Sequence, residues 1–271
     1  MVSRAQWGDP SRARADRVSD MSPLACYDLG ITAYEPLQQL QAAWRRAVAS
    51  GAAPPVLLLL EHLPVVTLGM RADPLTSLVD GHPLPALPIA RSERGGLATL
   101  HSPGQLISYP IMKLPHKDLR AYVWGLEEVV VRLLATYQLE AERRPGRPGV
   151  YVDGRKIASV GLRCERWVAS HGTSLNVDPD LALFDRVVCC GDPSLRQTSL
   201  ASLLEHAPTL ADVKNLYPAV FAEVFGMSMA PLVPATREEL AALLDAGAIQ
   251  DRAADEGVLH EGTGEARTPE E

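Results

Sequence analysis

The chain has no apolar run near the ~18 residues that a membrane-spanning helix requires. Its longest, Pro54 to Leu60, stops at Glu61 and reads as a buried strand. A basic excess is also missing. The formal net charge is −7, and five of those charges lie between Asp251 and Glu271, where seven acidic residues face two basic ones. The rest of the chain is close to neutral. That leaves no electrostatic footprint for nucleic acid, and the acidity is that of a solvated tail.

Cysteine is scarce. Cys26, Cys164, Cys189 and Cys190 do not suggest a disulfide framework in 271 residues, and none forms a Cys-x-x-Cys pair that would support a structural metal site. Residues 1–20 hold four arginines, three aspartates and no apolar segment, so a secretory signal is not expected. The patterned sequence begins just after Met21, a candidate start. No internal repeat is present, and the cytoplasm is the default location.

What remains is an ordinary globular composition, 46% hydrophobic and 22% charged. The expected organisation is a disordered extension over 1–22, a folded body over 23–247 and an acidic disordered tail over 248–271. The body reads as strands and helices in turn. Leu37, Leu40, Trp44 and Val48 give a helix over Tyr34–Ala49, with Gly51 just past its end. Val56–Leu60 follows as a strand, and Leu87–Ile89 as a short one within a loop. Asp118 caps a helix to about Leu139 with an apolar stripe of Leu119, Val123, Leu126, Val130 and Leu133. Gly149–Arg163 reads as a hairpin about Asp153-Gly154, a pair suited to a type I′ turn. A strand over Val187–Cys189, a helix from Thr198-Ser199 to Leu204, one announced by Thr209 and Asp212 through Phe225, and one over Glu238–Ala246 behind a capping box of Thr236 with Glu239 complete the body.

Chemistry concentrates in a few segments. Cys190 ends a predicted strand, precedes a glycine where a ligand can approach backbone, and lies ahead of a helix start. The reactive species is the thiolate, which a nearby cation or helix N-terminus favours. A buried structural cysteine is the alternative. Cys189 competes, but strand alternation turns it to the opposite face. Lys156, on the returning strand of the hairpin, alternates with Ala158, Val160 and Leu162, which puts a lysine on an apolar face. An edge strand with its ammonium in water is the bland reading. Two unit charges about 4 Å apart at an effective dielectric of about 20 attract by about 4 kcal/mol. Half of that lowers a thiol pKa by about 1.5 units, so Lys156 is a candidate partner.

Arg94-Gly95-Gly96 is too short for a phosphate loop and lacks the Gly-Lys-Ser/Thr ending, so it reads either as a backbone wall for an extended ligand or as a turn. His101 and His171 are possible bases in a Cys-His pair or structural histidines. Nothing is assigned to His62, His82 or His116.

Taken jointly, these segments resemble the octanoyl-[acyl-carrier-protein]:protein octanoyltransferases of lipoate synthesis. The resemblance covers about Tyr27 to Leu204. It includes Glu61-His62 with Pro64, Thr67 and Gly69, the Arg94-Gly95-Gly96 run with Thr99, His101 and Pro103-Gly104-Gln105, and Tyr109. It continues through Pro148 to Val152, Lys156-Ile157, Gly161, His171-Gly172, Leu175-Asn176 and Cys190-Gly191.

The resemblance implies an α/β (α+β) fold shared with lipoate and biotin ligases, a mixed sheet flanked by helices, with no cofactor, metal or nucleotide site. It makes Cys190 the acyl-thioester residue and Lys156 the group that lowers its pKa. Acyl-chain contacts carry over to Arg94, Gly95, Gly96, Leu97, Ala98, Thr99, Leu100 and His101, to Ser159, Val160 and Gly161, and to Gly172, Thr173 and Ser174. The implied donor is octanoyl-acyl carrier protein, and the implied acceptors are lipoyl domains of 2-oxoacid dehydrogenases and the glycine cleavage H protein. The chain departs from the family at Leu100, usually aromatic, Ser102, usually glycine, Ser174, usually alanine, and Cys189, commonly proline. Those departures bear on acyl-chain preference and oxidation. An amidotransferase moving octanoyl or lipoyl between protein carriers is a rival within the class, and a non-catalytic module binding acylated carriers is a rival outside it. Retention of both Cys190 and Lys156 favours an enzyme.

Overall fold

Strand β2 (Val56–His62) begins with five consecutive buried apolar residues, and alternation along it feeds two cores at once. Leu57 and Leu59 enter one, while Val56, Leu58 and Leu60 enter the other. That requires a sheet covered on both faces, which the computed structural model shows. It describes residues 23–77, 87–114 and 116–256, with the side chains of 75, 76 and 247–256 excepted. The predicted 1–22 extension, the tail from 257 and His82 lie outside the described residues.

Elements run in the order β1 (Leu24–Thr32), α1 (Tyr34–Ser50), β2, β3 (Val65–Leu68), α2 (Pro74–Ser77), β4 (Ile89–Arg91), β5 (Ala98–His101), β6 (Gln105–Lys113) and α3 (Leu119–Thr136). They continue with β7 (Glu142–Arg144), β8 (Arg147–Val152), β9 (Arg155–Glu165), β10 (Val168–Asn176), α4 (Leu200–Leu203), α5 (Leu210–Phe225), β11 (Met229–Pro234) and α6 (Arg237–Glu256). Among the described residues, eight strands form a mixed sheet in the order β11-β1-β2-β6-β10-β9-β8-β7, parallel at β11-β1-β2 and antiparallel beyond. A smaller sheet, β4-β3-β5, stands apart and carries the Arg94 loop between β4 and β5.

One face packs against α3 and α5 through Leu126, Val130, Leu133, Val213, Tyr217 and Phe221. The other packs against α1 and α6 through Leu37, Leu40, Trp44 and Leu240. The capping signals act as read. Asp118 accepts from Arg120 N and Ala121 N, and Thr209 with Asp212 closes a capping box. Thr236 and Glu239 make a similar exchange ahead of α6. That helix runs to Glu256, so residues 248–256 are helical where the sequence reading has a structureless tail.

The β8–β9 hairpin turns at Asp153 (φ 47°) and Gly154 (φ 75°), as a type I′ turn requires. Its ladder contains a bulge that the sequence does not announce. Val150 pairs with Ala158 and Tyr151 with Lys156, which leaves Ile157 as an extra residue. Ile157 and Ala158 therefore both enter the core beside α3, and Lys156 is released to a cleft. The simple alternation that groups Lys156 with Ala158 is interrupted there. A second correction concerns Val187–Cys189, which is no strand. The chain makes a 3-10 turn over Leu181–Arg186 and another over Cys189–Gly191.

Candidate active site

Cys190 sits in that second turn with φ 57° and ψ 19°, a left-handed conformation costing a non-glycine residue about 1–2 kcal/mol. The turn, rather than strand alternation, separates the two neighbouring thiols. Cys189 is buried among Leu100, Phe184 and Val187, whereas Cys190 is the exposed one of the four cysteines. Burial, reinforced by the charge of Cys190, pushes the Cys189 thiol up to about 12. Burial with Asp28 nearby does the same to Cys26. Neither can supply thiolate near neutral pH.

Lys156 is 1% exposed. Its Nζ donates to Cys190 Sγ at 3.2 Å and to the Pro148 carbonyl at 3.0 Å, and lies 5.5 Å from the Tyr151 ring centre. β9 lies between β10 and β8, so the edge-strand reading with a solvated ammonium is not realised. The backbone of Lys156 is pinned by the segment that follows the Cys190 turn. Its N–H donates to Arg196 O at 2.9 Å, and its carbonyl accepts from Thr198 N at 2.9 Å. Cation and thiol thus share one strand-like clamp.

A cleft of about 510 Å³ opens on this pair. The β4–β5 loop and β5 line it with Arg94, Gly95, Gly96, Leu97, Ala98, Thr99 and His101. β9 adds Ser159, Val160, Gly161 and Leu162, and β10 adds His171, Gly172, Thr173 and Ser174. Leu100 is the exception among the expected contacts. Alternation along β5 turns it away, fully buried against Val66, Phe184 and Cys189. Ser102, also buried, does not line the cleft either.

Arg94 is buried, and its guanidinium is committed to structure. Nη2 donates to Thr67 O and Oγ1, both at 2.8 Å, and Nη1 donates to Gly95 O at 3.1 Å. It ties the glycine loop to β3. A second network lies behind β5. Gln105 donates to Asn176 Oδ1 at 2.8 Å, Asn176 donates to Thr198 O at 2.9 Å, and Gly104 N donates to Glu61 Oε2 at 2.8 Å. The Pro-Gly-Gln and Leu-Asn motifs therefore fix the Thr198 segment that in turn clamps Lys156.

His62, to which the sequence assigns nothing, ends β2 and is fully buried, with Tyr109 Oη at 2.9 Å and Thr32 O at 3.0 Å. Burial holds its pKa down to about 4 and that of His171 down to about 3, and it places His101 well below the usual value. These imidazoles are neutral; His101 and His171 line the cleft, and His62 stands behind them against His101 and Tyr109. The hydrogen bond to Cys190 Sγ comes from Lys156. Sequence reasoning also missed Leu119 and Val123, the first two residues of the α3 stripe, which face the cleft instead of the core. Arg71, and Arg147 paired with Asp192, stand in the lining too. Leu119 is exposed and Val123 half-buried, unlike the buried residues further along the stripe, and exposure is not written locally.

Residues 33–222 match the lipoyl protein ligase A/B catalytic domain. An octanoyltransferase of Gloeobacter violaceus is 43% identical over 207 residues, spanning 74% of this chain and 88% of that protein. An octanoyltransferase of Rubrobacter xylanophilus is 43% identical over 201 residues, spanning 73% and 91%. Among solved structures, lipoate-protein ligase A bound with ATP superposes with a TM-score of 0.64 at 17% identity, covering 83% of this chain and 95% of that one. A putative lipoate protein ligase from T. acidophilum with bound lipoic acid gives 0.63 at 17% identity, covering 86% and 95%. These structures establish the shared fold, and the sequence relatives establish the branch. With its thiol and lysine in the lining of a glycine-walled cleft, the chain belongs to the octanoyltransferases of the lipoyl protein ligase A/B catalytic family.

Proposed function

We propose that Cys190 carries the octanoyl group as a thioester and that Lys156 manages charge and protons in both halves of the transfer. The observation that carries this reading is the 3.2 Å contact between Lys156 Nζ and Cys190 Sγ in the lining of the cleft of about 510 Å³. The donor is octanoyl-acyl carrier protein. Its pantetheine thioester carbonyl is attacked by Cys190 thiolate, the bond to the pantetheine sulfur breaks, and that sulfur leaves as a thiol by taking the proton of the Lys156 ammonium, which becomes a neutral amine. A lysine amine of a lipoyl domain, of a 2-oxoacid dehydrogenase or the glycine cleavage H protein, then attacks the enzyme thioester. An amide forms, the C–S bond to Cys190 breaks, and the proton lost by the amine passes to Lys156.

The thioester supplies the driving force, so the reading needs no cofactor. The N–H of Gly191 donates to Val188 O at 3.2 Å, so it is already engaged within its own turn and is not free to hold an oxyanion. The Lys156 ammonium is the donor next to the reacting sulfur. Four free thiols fit a reducing compartment, and we place the reaction in the cytoplasm.

Intact-protein mass spectrometry after mixing with octanoyl carrier protein tests the assignment. Wild type and Cys189→Ala gain one octanoyl group, and Cys190→Ala gains none. An adduct on Cys190→Ala overturns the assignment of the nucleophile. Loading only from octanoylated lipoyl domain identifies an amidotransferase instead.

A further inference from the structure

One buried carboxylate near the cleft is unused by the chemistry above. Glu127 lies on α3, seven per cent exposed, with its Oε1 accepting from Gly149 N at 2.8 Å. The same peptide unit presents its other end to the site, since the Pro148 carbonyl accepts from Lys156 Nζ at 3.0 Å. The carbonyl and N–H of a trans peptide point in opposite directions across one rigid plane. Glu127 therefore grips the back of the plane whose front holds the lysine. From this geometry we infer that Glu127 is a positioning residue that sets the Lys156 ammonium on Cys190 through the Pro148–Gly149 peptide. The inference rests on the Cys190–Lys156 reading of the site.

The surroundings make the peptide's orientation a real choice. Gly149 has φ +133°, and a Cβ there would stand 2.5 Å from Lys156 Cε and 2.5 Å from Ala158 O. The position must stay glycine for the lysine stem to pass, and glycine offers little resistance to rotation of its own peptide. If the plane turned over, an N–H would face the ammonium and the carbonyl would face a carboxylate, both repulsive. The carboxylate removes that freedom. Its own charge is held by Arg143, whose Nε lies 3.4 Å from Oε2 and whose guanidinium also pairs with Glu128 and covers the Trp124 ring at 4.5 Å. Burial raises the Glu127 pKa, and the Gly149 N–H, Arg143 and Lys156 act against that rise. The charged and titratable groups around Lys156 are thus Glu127, Tyr151, Cys190 and, behind it, Cys189, and those around Glu127 are Arg143 and Lys156.

The relay predicts a specific pattern of rescue. Glu127→Gln keeps an oxygen for the Gly149 N–H, whereas Glu127→Leu has none and Glu127→Asp withdraws it by one methylene. Iodoacetamide alkylation of Cys190 against pH is the readout, on Cys189→Ala protein so that a single thiol near the cleft reports. Glu127→Leu and Glu127→Asp should move the profile upward by about one pH unit and slow octanoyl loading at least tenfold. Glu127→Gln should stay within threefold of the parent. A merely structural carboxylate would lower the melting temperature without moving the profile. If Glu127→Leu does not fold, Glu127→Asp decides. Lys156→Met serves as the control. If it shifts the profile and the Glu127 variants do not, the relay is wrong. If Lys156→Met leaves the profile unchanged, the lysine–thiol reading fails beneath it.

Discussion

Gly191 and Leu97 line the same cleft so closely that the glycine has no room for a side chain. A Cβ on Gly191 would stand 2.7 Å from Leu97 Cδ1, and Gly191 holds φ +72°. The turn that carries the thiol is thereby seated on the loop that walls the acyl site, and two separate terms fix it there.

Gly191→Ala should slow formation of the octanoyl adduct by tenfold or more, because a left-handed alanine costs about 1 kcal/mol or more and the new methyl displaces the turn. Leu97 can yield at its flexible end, so Leu97→Ala added to Gly191→Ala should recover part of the rate and leave the backbone cost. Time courses of adduct mass read both. Loading of Gly191→Ala at the wild-type rate would show that this contact does not place Cys190.

Lys156→Met should move the pH profile of Cys190 alkylation upward by one unit or more, since a cation in contact with the sulfur is lost. Lys156→Arg keeps the charge without a proton to cycle. It should alkylate at a pH near that of wild type and still be slow in the amide-forming half, measured separately by adding lipoyl domain to preloaded enzyme. Equal slowing of both halves in Lys156→Arg would point to displaced geometry.

Leu100→Tyr should destabilise the protein by about 1–3 kcal/mol through overpacking against Cys189 and Phe184. It should not sharpen chain-length preference, because the side chain at this position faces the core of the small sheet. Thermal melting and a series of acyl carrier protein donors separate the two effects. Ser174→Ala is the substitution among the family departures that alters the cleft lining. A change of preference in Leu100→Tyr without loss of stability would contradict the placement of β5.

Acid should unfold the protein early. Histidine has an ordinary pKa of 6.5, while burial holds His62 at about 4 and His171 at about 3. Between those limits the unfolded chain binds protons that the folded state excludes, so the stability present above pH 6.5 is lost as pH falls toward 4. Urea unfolding across this window should show that slope, and His62→Gln should reduce it by about one proton. A flat stability between pH 6.5 and 4 would mean that these rings are protonated in place.

The residues themselves determined whatever depends on neighbours in the chain. Asp118, Thr209 with Asp212, and Thr236 with Glu239 open helices where they were read to do so, because a cap is a bond across two or three positions. Asp153-Gly154 fixes its hairpin for the same reason, and the set of motifs ending in Cys190-Gly191 carried the family with it. Tertiary structure decided the rest. The bulge at Ile157 sends Lys156 to the cleft while Ala158 goes to the core, and it exists only because β8 and β9 pair out of simple step. The turn at Cys190 replaces an expected strand because Val188 is held by Ser77 and Gly191 by Val188, the first of these across more than a hundred residues. Leu100 left the acyl site, His62 came to pack behind His101 and Glu127 came to stand behind Lys156 for one physical reason. The face a side chain presents depends on register and partner strands, and those are set by long-range pairing that no local pattern encodes.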